Sequence, residues 1–263
     1  MTTQQLDRAA GDRLTEILTA DDPTEGLWVA HEDGFFTDTV PEISALAMEQ
    51  DPVHRHKDVL RHTFAVVERL EPDLVLRLAG LLHDIGKPST REITPDGVSF
   101  HHHEVVGARM AEQRLRELRY PNAVVEDVCK LVELHLRFHG FGEGWTDAAV
   151  RRYVRDAGPL LDKLNQLTRA DCTTRDPKRA ERFGRLQDDL EERIARLAEQ
   201  ENLEAMRPTL DGRQVMERLG LEPGPLVGEA LASLMEVRME RGELSEEEAY
   251  ELLATWAKER GIG

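Results

Sequence analysis

Apolar residues recur at three- and four-residue spacing along almost the whole chain, which is the period of one helical face. The pattern predicts helices at about 5–19, 24–30, 41–49, 56–70, 73–84, 102–118 and 122–138. It continues with helices at about 146–156, 159–171, 176–199, 211–219, 225–241 and 245–260. Turn signals "DDP" and "DGFF" bound the first short helices, and Ser245 and Glu248 stand in capping-box register at the start of the last. One stretch breaks the helical period: "TREITPDGVSF" alternates about a Pro-Asp-Gly turn and reads as a small hairpin leading into "HHHE". The expected fold class is therefore all-α, a helical bundle with one small β-hairpin.

The faces of these helices carry polar residues where apolar ones belong. Val59, His62, Val66 and Leu70 share one face, so His62 points where the valines point. The same placement recurs in Val124, Val128, Leu131 and His135, and in Leu160, Leu164, Leu167 and Asp171. The helix expected over 73–84 is apolar nearly all round and should be central, and it delivers His83 and Asp84 before Gly86 and Pro88 stop it. His103 then opens a further helix on the face of Val106 and Met110.

A single histidine on an apolar stripe is ordinarily a core residue bonded to a carbonyl, and a buried Asp beside it an ordinary ion pair. Several together change the balance. Unpaired burial costs several kcal/mol for each charged group, whereas one divalent cation satisfies imidazoles and carboxylates at once. The residues thus point to a metal site, and a donor set without thiolate suits Mn, Fe, Co, Ni or Mg better than structural zinc.

Composition narrows the class of partner. A chain of 263 residues, 40% hydrophobic and 32% charged, has the make-up of a soluble globular protein. No apolar run reaches the length of a membrane span and the N-terminus does not read as a signal peptide, so the expected location is cytoplasmic and no membrane partner is expected. Cys129 and Cys172 lack CxxC partners, which argues against a disulfide framework or zinc knuckle. The net charge of −17 repels phosphate backbones at long range, so a large nucleic acid such as tRNA is disfavoured and a small substrate is not. None of this fixes an oligomeric state.

His62, the doublet His83-Asp84 within "HDIGK", and Asp171, in that order on helices, resemble the HD-domain phosphohydrolases. The likeness extends further. "DPVHRHKDVLRHT", "LLHDIGKP", "FHHHEVVGA", "LTRADCTTR" and "LEPGPLVGEAL" resemble the HD-containing body and tail of bacterial CCA-adding tRNA nucleotidyltransferases, actinobacterial ones especially. "ILTADDPTEGLWVAHEDGFFTDTVPEI" is similar to their helical neck. The head of that family carries a Gly-Ser turn followed by paired carboxylates on a strand, and this sequence contains neither. The resemblance therefore implies a stand-alone HD half: a neck-like segment over 1–50, an HD domain over 51–200, and a C-terminal helical tail over 201–263, with "RPTLDG" as the candidate boundary.

The resemblance also implies roles. It assigns His62, His83, Asp84 and Asp171 to a core metal site, and His103 and His135 to a second ion with Asp84 bridging. The implied activity is that of a metal-dependent phosphohydrolase, a phosphatase or phosphodiesterase acting on a nucleotide, a 2′,3′-cyclic nucleotide or a sugar phosphate, with one or two divalent ions. Asp84 and Lys87 are the candidate catalytic residues, and Lys87, His101, Arg137 and Arg169 the candidate substrate contacts, with His139 at the mouth. Lys87 equally suits a solvated helix-end cation, and His102 an exposed loop position. "HGFGEGW" lacks the context of a phosphate loop and reads as a connection over the site, while "RDPKRAERFGR" reads as an exposed helix with i,i+4 charge pairs. Two other functions fit the same residues: a non-catalytic tRNA- or partner-binding half of a split nucleotidyltransferase, and a di-iron oxygenase.

Overall fold

A computed structural model describes residues 8–48, 58–94, 97–174, 176–201 and 207–262. The helices in chain order are α1 (Arg8–Thr19), α2 (Thr24–Glu32), α3 (Phe35–Thr39), α4 (Pro41–Ser44), α5 (Val59–Arg69), α6 (Leu74–Leu82) and α7 (Lys87–Thr90). After the strands β1 (Arg91–Thr94) and β2 (Gly97–Phe100) come α8 (His103–Glu117), α9 (Asn122–Leu134), α10 (Asp147–Ala157), α11 (Leu161–Asp171) and α12 (Pro177–Glu201). The last are α13 (Gly212–Leu219), α14 (Pro225–Arg241) and α15 (Glu246–Glu259). The fold is all-α with one hairpin, as the periodicity implies. Residues 5–7, 49 and 56–57 of the expected helices, and Pro95 and Asp96 of the expected turn, lie outside the described residues.

Capping explains where several helices begin. The carboxylates of Asp58 and Asp73 accept hydrogen bonds from the backbone N–H of Arg61 and Leu76, which satisfies orphan donors of α5 and α6. Ser245 and Glu248 form the expected capping box on α15, and Asp211 with Gln214 forms another on α13.

The chain folds as two compact units, one from Met1–His139 with Pro159–Gln187 and one from Gly140–Gly158 with Asp188–Gly263. In the first, α6 is the central helix and packs on α1, α5, α9 and α11. Leu76, Leu78, Ala79, Leu81 and Leu82 are all buried there. In the second, Val215, Ala230, Leu234, Leu253 and Trp256 lie in a core shared by α13, α14 and α15. β1 and β2 pair antiparallel with Arg91 opposite Phe100. No described helix is long and apolar enough to cross a membrane.

Two helices end earlier than their apolar pattern. α6 stops at Leu82 and α9 at Leu134, so His83 and His135 occupy C-cap positions and Asp84 lies beyond the helix. Pro88 does not end α6; it sits in the first turn of α7, where its missing N–H costs nothing.

α6 also buries a charge. The Arg77 guanidinium donates to the carbonyls of Leu70 and Leu18 at 3.0 and 2.7 Å, and to that of Ala20. It thereby caps the C-terminal ends of α1 and α5 together, where the helix dipole favours a cation. Arg77→Met keeps the apolar stem and strands these carbonyls, so it is expected to cost roughly 3 kcal/mol or more. Thermal denaturation of the purified variant checks this, and a melting point lowered by less than about 2 °C would contradict it.

Candidate metal centre

Three helix C-termini converge on one point of the first unit. α6 delivers His83 and then Asp84, α9 delivers His135, and α11 ends on Asp171. His103 enters as the first residue of α8, and His62 projects from α5. Because the C-terminal end of a helix carries partial negative charge, this convergence favours a cation before any side chain is counted.

The imidazoles are oriented by a repeated hydrogen bond. The Nδ1–H groups of His83, His103 and His135 donate to the carbonyls of Gly80, Phe100 and Val132 at 2.8, 2.9 and 2.6 Å, each three residues upstream. A carbonyl accepts only, so a proton sits on Nδ1 and Nε2 is the nitrogen turned to the centre. His62 differs, since its Nδ1 meets the Thr173 hydroxyl at 2.8 Å. For His83 and His135 the bond captures one of the last carbonyls of α6 or α9, which is why those helices stop there.

The donor atoms form two groups, each within 4.8 Å: His62, His83 and Asp171, and Asp84, His103 and His135. Asp84 joins them. Its Oδ2 lies 3.5 Å from His62 Nε2 and 3.2 Å from His83 Nε2, while its Oδ1 lies 3.3 Å from His103 Nε2. Asp171 Oδ1 is 2.9 Å from His62 Nε2 and 3.6 Å from His83 Nε2. The Nε2 atoms of His103 and His135 are buried and have no hydrogen-bond partner. Buried polar atoms left this way are rare, and orphaned lone pairs beside a shared carboxylate fit a divalent cation.

Electrostatics runs the same way. Burial alone lowers the proton affinity of His83, yet the Asp84 and Asp171 carboxylates outweigh it and hold its pKa up at about 10. Burial and the neighbouring His83 push His135 down to about 3. Desolvation raises Asp84, but His83 and Lys87 overcome it and keep the carboxyl well below its ordinary value.

The other expected site residues divide. Lys87 Nζ is 2.7 Å from Asp84 Oδ2, and Lys87 lines a cleft of about 220 Å³ beside the donors. His139 also lines it and approaches Asp171 Oδ2 at 3.9 Å. His101, Arg137 and Arg169 are exposed and do not line it. Sequence proximity to a ligand is what suggested them as substrate contacts. The cleft instead takes Thr173, Thr174, Arg179 and Phe183. The last two come from the basic run read as an exposed helix; its i,i+4 pair Arg185–Glu181 does form, at 3.4 Å, while Arg179 and Phe183 face the cleft. Of the glycine-rich stretch 139–145, His139 is the lining residue among those described.

The HD domain family model matches residues 58–206, which carry all six donors. The chain belongs to the HD domain family. This HD protein is also 36% identical over 258 residues to the A-adding tRNA nucleotidyltransferase of Deinococcus radiodurans, covering 94% of this chain and 58% of that protein. It is 34% identical over 256 residues to the CC-adding tRNA nucleotidyltransferase of Thermus thermophilus, covering 93% and 56%. The chain thus spans little more than half the length of these relatives.

The contacts of Gly86 and the protonation of His83 each have a measurable consequence. A Cβ on Gly86 would fall 2.2 Å from the His103 carbonyl oxygen, so Gly86→Ala must push α8 away from Asp84. A stability loss of about 1–3 kcal/mol together with weakened metal binding is expected from denaturation and calorimetry, and unchanged metal affinity would contradict it. The second concerns pH. The His83 proton must leave before Nε2 can ligate, and it is held up to about 10, so affinity rises with pH through the neutral range. Calorimetry in buffers of differing ionisation enthalpy should show proton release, with affinity changing by about tenfold per pH unit; a flat profile between pH 6 and 9 would contradict it.

Proposed function

We propose that this HD protein is a metal-dependent phosphohydrolase that cleaves a small phosphate ester. The observation that carries the reading is the Asp84 carboxylate, which presents one oxygen to each of two adjacent donor groups beside an open cleft. His62, His83, Asp84 and Asp171 would hold one ion, and His103 and His135 with Asp84 a second. The mixed imidazole and carboxylate set suits Mn, Fe, Co, Ni or Mg. A bound ion would supply Lewis acidity, lowering the pKa of a water and offsetting charge on a phosphoryl oxygen.

The chain's own residues do the rest. Lys87 bonds Asp84 and faces the cleft, so it orients the carboxylate and offers positive charge to an anionic substrate. The carbonyl-bonded Nδ1–H groups hold His83, His103 and His135 in one tautomer, which avoids reorganisation during turnover. Burial of His83, Asp84 and His135 keeps bulk water away on the protein side and leaves the cleft as the approach.

A second reading is supported by the extent of the similarity, which covers 94% of the chain and not the HD segment alone. On that reading the chain holds tRNA for nucleotide addition. A net charge of −17 weighs against it.

Elemental analysis paired with hydrolysis of a generic phosphomonoester and of 2′,3′-cyclic AMP, with Mn, Ni, Co or Mg added, separates these readings. Bound metal and turnover are expected. Asp84→Ala and His83→Ala should each lower turnover by at least about a hundredfold and remove metal while leaving the helical circular dichroism signal intact. Full metal retention with lost activity would overturn the ligand assignment. Bound iron without hydrolysis would favour oxygenase chemistry, and absence of both metal and turnover would favour the tRNA-holding module.

A further inference from the structure

The cleft has a second wall that the metal donors do not account for. Arg179 and Phe183 stand four residues apart on α12, hence on one helical face, and both line the cleft. Phe183 is half-buried: its ring packs edge-to-face on Phe138 at 5.1 Å, and another part of it borders the cleft beside His139, whose ring is 6.3 Å away. The Arg179 guanidinium has no side-chain partner among the described residues. That sets it apart from the cations at Arg114, Lys163 and Arg193, which are paired with Glu42, Asp73 and Asp147. An aromatic face and a planar cation at one helical spacing form a surface on which a flat ring stacks, and neither contributes to holding the donors in place.

We propose that Arg179 and Phe183 form a leaving-group subsite that selects a phosphate ester whose organic part carries a planar ring, such as a nucleobase. The inference rests on the phosphohydrolase reading for the position of the phosphoryl group, at Lys87 and the donor cluster. The ring-bearing end then lies along α12, within a cleft of about 220 Å³.

The test compares adenosine 5′-monophosphate with ribose 5-phosphate on the metal-loaded full chain, a pair that differs by the base alone. The preference is read as kcat/KM where the two are hydrolysed and as Kd by calorimetry where they are not. Wild type is expected to prefer the base-bearing ligand by about tenfold or more. Phe183→Leu, which keeps apolar packing on Phe138 but loses the flat face, should bring the ratio close to one with ribose 5-phosphate unaffected; Phe183→Trp should retain the preference. Arg179→Gln should weaken the base-bearing ligand more than the other. Equal values in wild type, no measurable binding of either ligand, or equal losses for both in Phe183→Leu would overturn the subsite. Binding with base preference but without hydrolysis would sink the phosphohydrolase reading and leave the subsite standing, whereas hydrolysis without base preference would do the reverse.

Discussion

The buried carboxylate of Asp84 is the constraint on which the HD unit depends. It is only 1% exposed, and a lone carboxylate in that position would cost several kcal/mol. What offsets the cost comes from two neighbours: His83 beside it and Lys87 one turn on. Each must arrive to within hydrogen-bonding reach. That requirement explains the missing side chain at Gly86, whose backbone lies against His103, and the convergence of α6, α9 and α11 by their negative ends. The assembly is stable only as a set, since deleting one cation leaves the carboxylate uncompensated.

Most of this was legible in the sequence because burial imposes a period. His62, His135 and Asp171 announce themselves by occupying apolar faces, and the doublet by ending an apolar run. The helix ends were less legible. Periodicity cannot tell that an imidazole will turn back and take the carbonyl three residues upstream, so the pattern over 73–84 and 122–138 overshoots at His83 and His135. Arg77 was invisible for a related reason: its guanidinium is held by backbone carbonyls at the ends of α1 and α5, which no residue pattern in the sequence marks. His101, Arg137 and Arg169 are neighbours of donors along the chain but are exposed and do not line the cleft, which chain position alone does not reveal. Arg179 and Phe183 were passed over because a basic helix is ordinarily a solvated face, and only the packing of Phe183 on Phe138 turns that face toward the cleft.

Net charge describes the mean field and says little about the site. Many surface cations of this acidic chain are matched locally, as Arg13 is with Asp33 and Arg116 with Glu112, and such exposed pairs contribute little to stability. Lys87 and Arg179 differ in facing the cleft. They face the Asp84 and Asp171 carboxylates across the same cleft, so these side chains alone leave it without net positive charge.

Asp84 also bears on how many ions the centre holds. The first ion to bind would displace the His83 proton and satisfy both Asp84 and Asp171, gaining from two carboxylates at once. A second ion at His103 and His135 would share a carboxylate whose charge is already partly neutralised, and would face the first cation across it. The orphaned Nε2 atoms there favour occupancy, while the shared charge opposes it. Were both groups filled, this balance would make the two affinities unequal, with the tighter one on the Asp171 side.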